Sequence, residues 1–117
     1  MKYLCLIYYD ENKLDSMPEA EQDALYEEAY AYYDELVRNG HGIAGDALQS
    51  VRTAKTVRVQ KGKASVTDGP YVETKEQLGG FILLEAGDLD EAMRLAAQIP
   101  PARLGGVEVR PVWDMGA

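Results

Sequence analysis

Cysteine is nearly missing from this chain: Cys5 is the only one in 117 residues. A single thiol cannot close an internal disulfide, which fits a reducing compartment. Cys5 stands in an apolar run with no assignable histidine or acidic partner, so it reads as a small buried hydrophobe rather than a nucleophile. Histidine is equally scarce, with His41 alone. One imidazole and no cysteine pair leave no ligand set for a transition metal, and the acidic residues lack calcium-loop spacing. No metal site is expected.

Positive charge is the third shortage. Twelve Lys and Arg face twenty Asp and Glu, the formal net charge is −8, and no stretch concentrates the cations. That balance disfavours both nucleic-acid backbones and anionic membranes as partners. Long apolar runs are absent as well. The N-terminal one covers Tyr3 to Tyr9 and stops at Asp10-Glu11, too short for a membrane span and poor as a signal peptide. The expected location is cytoplasmic. No linker, repeat, low-complexity segment, GxGxxG or phosphate loop interrupts the chain, so residues 1–117 are expected to form one domain.

What is present is a sequence of short, well-punctuated elements. KYLCLIYY (2–9) is continuously apolar after Lys2 and reads as a strand covered on both faces. Ser16-Met17-Pro18-Glu19 has the spacing of a capping box and predicts a helix from about Met17 to Asn39, stopped by Gly40. Its apolar stripe is Leu25, Ala29, Tyr32 and Leu36, with Val37 alongside. Tyr26, Tyr30 and Tyr33 form a second stripe. They suit a half-covered wall, and we read them as a core margin or subunit contact in preference to a ligand pocket.

Residues 42–48 predict a short strand. Thr56 to Gln60 and Lys63 to Thr67 alternate around Lys61-Gly62 as a tight hairpin. FILLEA (81–86) predicts a strand. Asp88 and Glu91 repeat the capping logic before a helix whose inner side is Leu89, Ala92, Met93, Ala96 and Ile99, ended by Pro100-Pro101. VEVRPV (107–112) closes the chain as a strand, with Pro111 favouring an edge. This order predicts an α+β, ferredoxin-like antiparallel sheet with two helices on one face and an inserted β-hairpin. Strands apolar on both faces, with helices on only one, call for a second cover. A second copy, sheet against sheet, is the economical one, so a homodimer is expected.

Thr67-Asp68-Gly69-Pro70-Tyr71 followed by Glu73-Thr74-Lys75-Glu76-Gln77-Leu78-Gly79-Gly80-Phe81 resembles the signature of the DGPF branch of the YCII-related family. Tyr71 stands where that branch usually has Phe. The resemblance extends to MKYLCLIYYDE at the start, to DLDEAM (88–93) and to GGVEVRPV (105–112). It implies a dimeric α+β barrel built on a ferredoxin-like unit. It also makes a sigma factor a candidate partner, because genes of this branch often stand beside alternative sigma factors. Wider relatives of that fold act on small ring compounds. A histidine of the first helix, paired with a later Asp in related proteins, would fall by register at Ala29 here, so a His-based mechanism lacks its first member.

Asp68-Gly69-Pro70 reads first as a turn in which Asp caps its own backbone, Gly bends and Pro fixes φ. Its functional reading makes Asp68 a general acid or base at a cleft, with its pKa raised if half buried. His41, flanked by glycines, reads as a surface or structural residue and, as the only imidazole, is the second acid–base candidate. The ligand-binding candidates are Tyr71, Glu73, Lys75, Gly79, Gly80 and Arg110. Residues 73–77 read first as a solvated turn or short helix, and Gly79-Gly80 as either a close-approach point or a β-bulge. Arg103 and Arg110 read first as balancing charges, and Trp113 is expected to bury itself against the sheet or a partner. The resulting reading is a homodimer with a small-molecule cleft in a binding or regulatory role. Its alternative is an enzyme doing carboxylate acid–base chemistry on a small ring metabolite without an organic cofactor.

Overall fold

The computed structural model describes residues 1–115. The chain runs through β1 (Lys2–Tyr9), α1 (Glu11–Asp15), α2 (Glu19–Arg38), β2 (Gly42–Ala47), β3 (Lys55–Gln60), β4 (Lys63–Asp68), β5 (Gln77–Glu85), α3 (Leu89–Ala96) and β6 (Gly105–Pro111). Short 3-10 turns occupy Val51–Thr53 and Pro100–Leu104. Four strands form an antiparallel sheet in the order β2-β5-β1-β6, and β3 pairs only with β4. This is the expected ferredoxin-like arrangement with its inserted hairpin, plus one short helix, α1, that the sequence reading did not anticipate.

Alternation along the strands decides which side is core. Tyr3, Cys5 and Ile7 of β1 lie beside Ile82 and Leu84 of β5, all buried under the helices. Leu36 of α2, with Ala96 and Ile99 from α3 and its exit, completes the cluster around Cys5, Ile7, Ile82 and Leu84, while Tyr3 packs with Ala86 and Ala92. Leu4 and Leu6 of β1 and Phe81 and Leu83 of β5 pair on the opposite face, where they remain half-buried with no helix above them. β6 is an edge strand, and Pro111 sits at its end as expected.

The helix ends follow local chemistry, with one exception. Gly40 takes φ +82° after α2, and the N–H groups of Gly40 and His41 bond to the carbonyls of Val37 and Leu36. At α3, Asp88 accepts from the Glu91 N–H at 2.8 Å, while the Glu91 carboxylate accepts from the Gly87 N–H. The Ser16–Glu19 capping box does not form. Asp10 caps α1 instead, accepting from the Asn12 N–H, and Ser16 closes that helix by donating to the Asn12 carbonyl. Pro18 then keeps the chain extended until α2 starts at Glu19.

Two strand expectations also shift. β5 starts at Gln77, not Phe81, because ladder pairing with β1 carries it straight through Gly79-Gly80. Trp113 is 84% exposed, since pairing ends at the bond from the Val112 N–H to the Lys2 carbonyl and the chain leaves the sheet there. The hairpin turns through Lys61 and Gly62, with φ +51° and +77°, the two positive values of a type I′ turn. Val57, Val59 and Val66 share one hairpin face and are exposed. The radius of gyration is 15.9 Å, against about 13–14 Å for a compact chain of this length, and the thinnest extent is 19 Å. The molecule is a thin plate with an arm.

Candidate functional site

A cleft of about 390 Å³ opens between the sheet and α2. Ile7, Ile82 and a run of glycines form its floor, Leu14 and Leu25 one wall, and Ile99, Pro100, Pro101 and Leu104 another. Five tyrosines complete it: Tyr9 from the end of β1, and Tyr26, Tyr30, Tyr32 and Tyr33 from α2.

Two glycines make room for the tyrosine rings that wall the space. Register between β1 and β5 slips after Ile7, which faces Gly80 while Tyr8 faces Leu78, so Gly79 is a bulge residue. A Cβ on Gly79 would overlap the Tyr9 ring at Cζ, Cε2 and the hydroxyl oxygen. The bulge therefore seats that ring. On β2, a Cβ on Gly45 would stand 2.9 Å from Cε1 of Tyr33. The close-approach and bulge readings of the Gly79 segment thus describe one feature.

The electrostatics favour protonated phenols. Burial, then the neighbouring Tyr26, Glu11 and Asp15, pushes Tyr9 above the ordinary tyrosine range. Burial, followed by Glu35 and Cys5, does the same to Tyr32. The Tyr32 hydroxyl donates to the Leu95 carbonyl at 2.6 Å and so ties α2 to α3. Tyr9, Tyr26 and Tyr30 hydroxyls make no hydrogen bond among the described residues. Among the described residues, Asp46 is the only acidic or basic one in the lining. Its neighbour Gly45 faces α2, so strand alternation sends the Asp46 carboxylate to the other face of the sheet. Such a cleft can hold an apolar ring, stack it and hydrogen-bond its substituents.

Glu11 fixes one end of this region. Its carboxylate accepts from the Val51 N–H at 2.7 Å and the Ser50 hydroxyl at 2.9 Å, and its own N–H donates to the Gln77 side chain at 3.0 Å. α1, the Val51–Thr53 turn and the start of β5 are thereby held together.

Of the residues singled out from sequence, Gly79 and Gly80 are brought to the cleft floor. Asp68 is not: its side chain is 88% exposed, pairs with Lys55 across the hairpin base, and lines no cleft. Gly69, at φ +101°, donates its N–H to the Ala54 carbonyl and accepts from the Thr56 hydroxyl, so Asp68-Gly69-Pro70 is the turn that closes the hairpin. His41 lies at the far end of β2, its Nδ1 2.9 Å from the Glu85 carbonyl.

Tyr71 and Arg110 line a second, wider and more polar groove of about 910 Å³, bounded by Tyr8, Leu78 and the hairpin base. Arg58 covers the Tyr71 ring at 4.6 Å, and Arg110 pairs with Glu108. Glu73 and Lys75 are exposed and line neither space. Residues 73–76 form no helix. The tyrosine wall is what sequence reading placed elsewhere. Its signal was the Tyr26, Tyr30, Tyr33 spacing, which is the same for a core margin and for the lip of a hole.

With these elements in place, comparison with known proteins is decisive for the family. The YCII-related domain matches residues 1–116. The chain belongs to the YCII-related family. An uncharacterised protein of Rhizobium meliloti (strain 1021) is 34% identical over 114 residues, covering 96% of this chain and 92% of that one. Among solved structures, this family member is similar to 5-chloro-2-hydroxyhydroquinone dehydrochlorinase (TftG) from Burkholderia phenoliruptrix AC1100, in complex with 2,5-dihydroxybenzoquinone. The TM-score is 0.57 at 18% identity, over 99% of this chain and 96% of the other. That likeness establishes a shared α+β fold and nothing about the reaction. No helix among the described residues is long and apolar enough to cross a membrane.

Proposed function

We propose that this YCII-family protein, of the DGPF branch, binds a small ring-containing metabolite in the tyrosine-lined cleft, as a cytoplasmic homodimer in a binding or regulatory role. The observation that carries the reading is the cleft itself, an apolar space of about 390 Å³ walled by tyrosines, two of which are seated against Gly79 and Gly45. That volume lies within the range of small-molecule sites, about 300–1,000 Å³. Among the described residues the lining has no histidine, lysine, arginine or glutamate, and its one carboxylate, Asp46, is on the strand face turned away, so it offers aromatic surface and phenol hydroxyls rather than an acid–base pair.

A metabolite screen by thermal shift tests the reading. A true ligand at 100-fold its Kd raises stability by about 2.7 kcal/mol. The gain should disappear in Tyr30→Ala, whose exposed ring at the cleft supports little of the core. A screen in which every hit survives that substitution would move the site elsewhere.

Acid–base catalysis on a ring compound is the second reading, and the likeness to a dehydrochlorinase speaks for it. Asp68 would then act from the hairpin base rather than from the cleft. Asp68→Asn that leaves turnover of an identified substrate intact would remove that residue from the mechanism.

A further inference from the structure

We infer that the cleft selects uncharged ring compounds and excludes their carboxylate counterparts. The inference rests on the binding role proposed above and assigns the ligand its charge class.

No Lys, Arg or His lines the space, so an anion entering it would meet no opposite charge. Arg103 belongs to the same 3-10 turn as the wall residues Pro100, Pro101 and Leu104, but its guanidinium is held 2.7 Å from the Glu28 carboxylate. The charges felt inside are negative, since Glu11 and Asp15 act on the Tyr9 hydroxyl. The N-terminus of α2 offers little to an anion either, because its first turn carries Glu19 and Glu21. The chain as a whole carries −8.

The tyrosines act in the same direction. Aromatic faces are the negative side of the ring quadrupole, so a tyrosine that turns its face to the cleft repels an anion while accepting the edge of another ring. A carboxylate would give up its hydration for a lining whose donors are neutral phenol hydroxyls, with no cation to offset the buried charge. A carboxamide of the same shape keeps its hydrogen bonds, because the hydroxyls of Tyr9, Tyr26 and Tyr30 can donate or accept.

A matched pair isolates charge from shape. Binding of 2-naphthamide and 2-naphthoate to the full chain at pH 7 should favour the amide by about tenfold or more in Kd. Ala29→Lys places an ammonium on the cleft wall, and in that variant naphthoate should become the tighter of the two. Circular dichroism melting checks that the variant is folded. Equal or tighter binding of naphthoate by the unmodified protein overturns the inference while leaving the cleft a ligand site. Failure of both probes to bind overturns the inference together with the reading beneath it. The comparison on the unmodified protein decides the matter even if Ala29→Lys does not fold.

Discussion

A methyl group at position 79 would occupy the space now filled by the Tyr9 ring. Gly79→Ala must push that ring toward the cleft or open the bulge, and either should cost about 1–3 kcal/mol in urea unfolding. Because the two residues share one volume, Gly79→Ala with Tyr9→Leu should cost clearly less than the sum of the single changes. An additive result would separate the glycine from the ring. Cys5 makes a second residue-scale prediction. Burial raises its thiol from 9.0 to about 11, so the folded chain holds this proton more tightly than the unfolded one. Its contribution is intact below pH 9 and is lost as pH rises toward 11, where thiolate in the unfolded chain draws the equilibrium away. Tyr9 and Tyr32, also raised, act in the same sense at higher pH. Urea midpoints measured from pH 8 upward should fall less steeply in Cys5→Ala than in the parent. At this scale the sequence was legible where a backbone angle demanded a residue, as at Gly40 and Gly62. It was not legible at the tyrosines. Helical spacing says which side chains share a face, but only the distance to the neighbouring strand says whether that face is filled.

Elements were legible when their signals did not compete. Asp88 caps α3 as its spacing suggests, and Asp88→Ala should cost about 1 kcal/mol, seen as a lower urea midpoint with unchanged slope. Glu91→Ala should cost less, since it removes only the bond to the Gly87 N–H at an exposed site. A larger loss from Glu91 than from Asp88 would reverse the assignment of the cap. Ser16 shows the opposite case. Its capping box was sound in isolation, but Asp10 caps a preceding short helix, α1, that ends on Ser16. Gly79-Gly80 stood ahead of a strand expected at 81–86, yet the β1 ladder pairs across both glycines and carries β5 back to Gln77. The chain bends at Gly69, at φ +101°, but Asp68 ends β4 and its carboxylate pairs with Lys55 instead of capping its own backbone. Its exposure could not be read, because burial at position 68 depends on where the hairpin points.

At the scale of the molecule, strand order and the one-sided helix layer followed from the alternation of elements. The detachment of the hairpin did not, since nothing in residues 55–68 distinguishes pairing with the sheet from pairing with itself. The plate, 19 Å at its thinnest, leaves Leu4, Leu6, Phe81 and Leu83 without a helix above them. If a second copy covers that face, Leu6→Asp should halve the mass seen by light scattering at micromolar concentration. A parent chain that already scatters as a monomer would defeat the homodimer. The arm also has a practical side. Its tip, Lys61-Gly62, projects with nothing within 4 Å of where a Gly62 side chain would begin, and β3 and β4 pair only with each other. A short insertion or a fluorophore there would leave the cleft walls untouched, so this tip is the natural handle for attaching the molecule to a surface or a reporter.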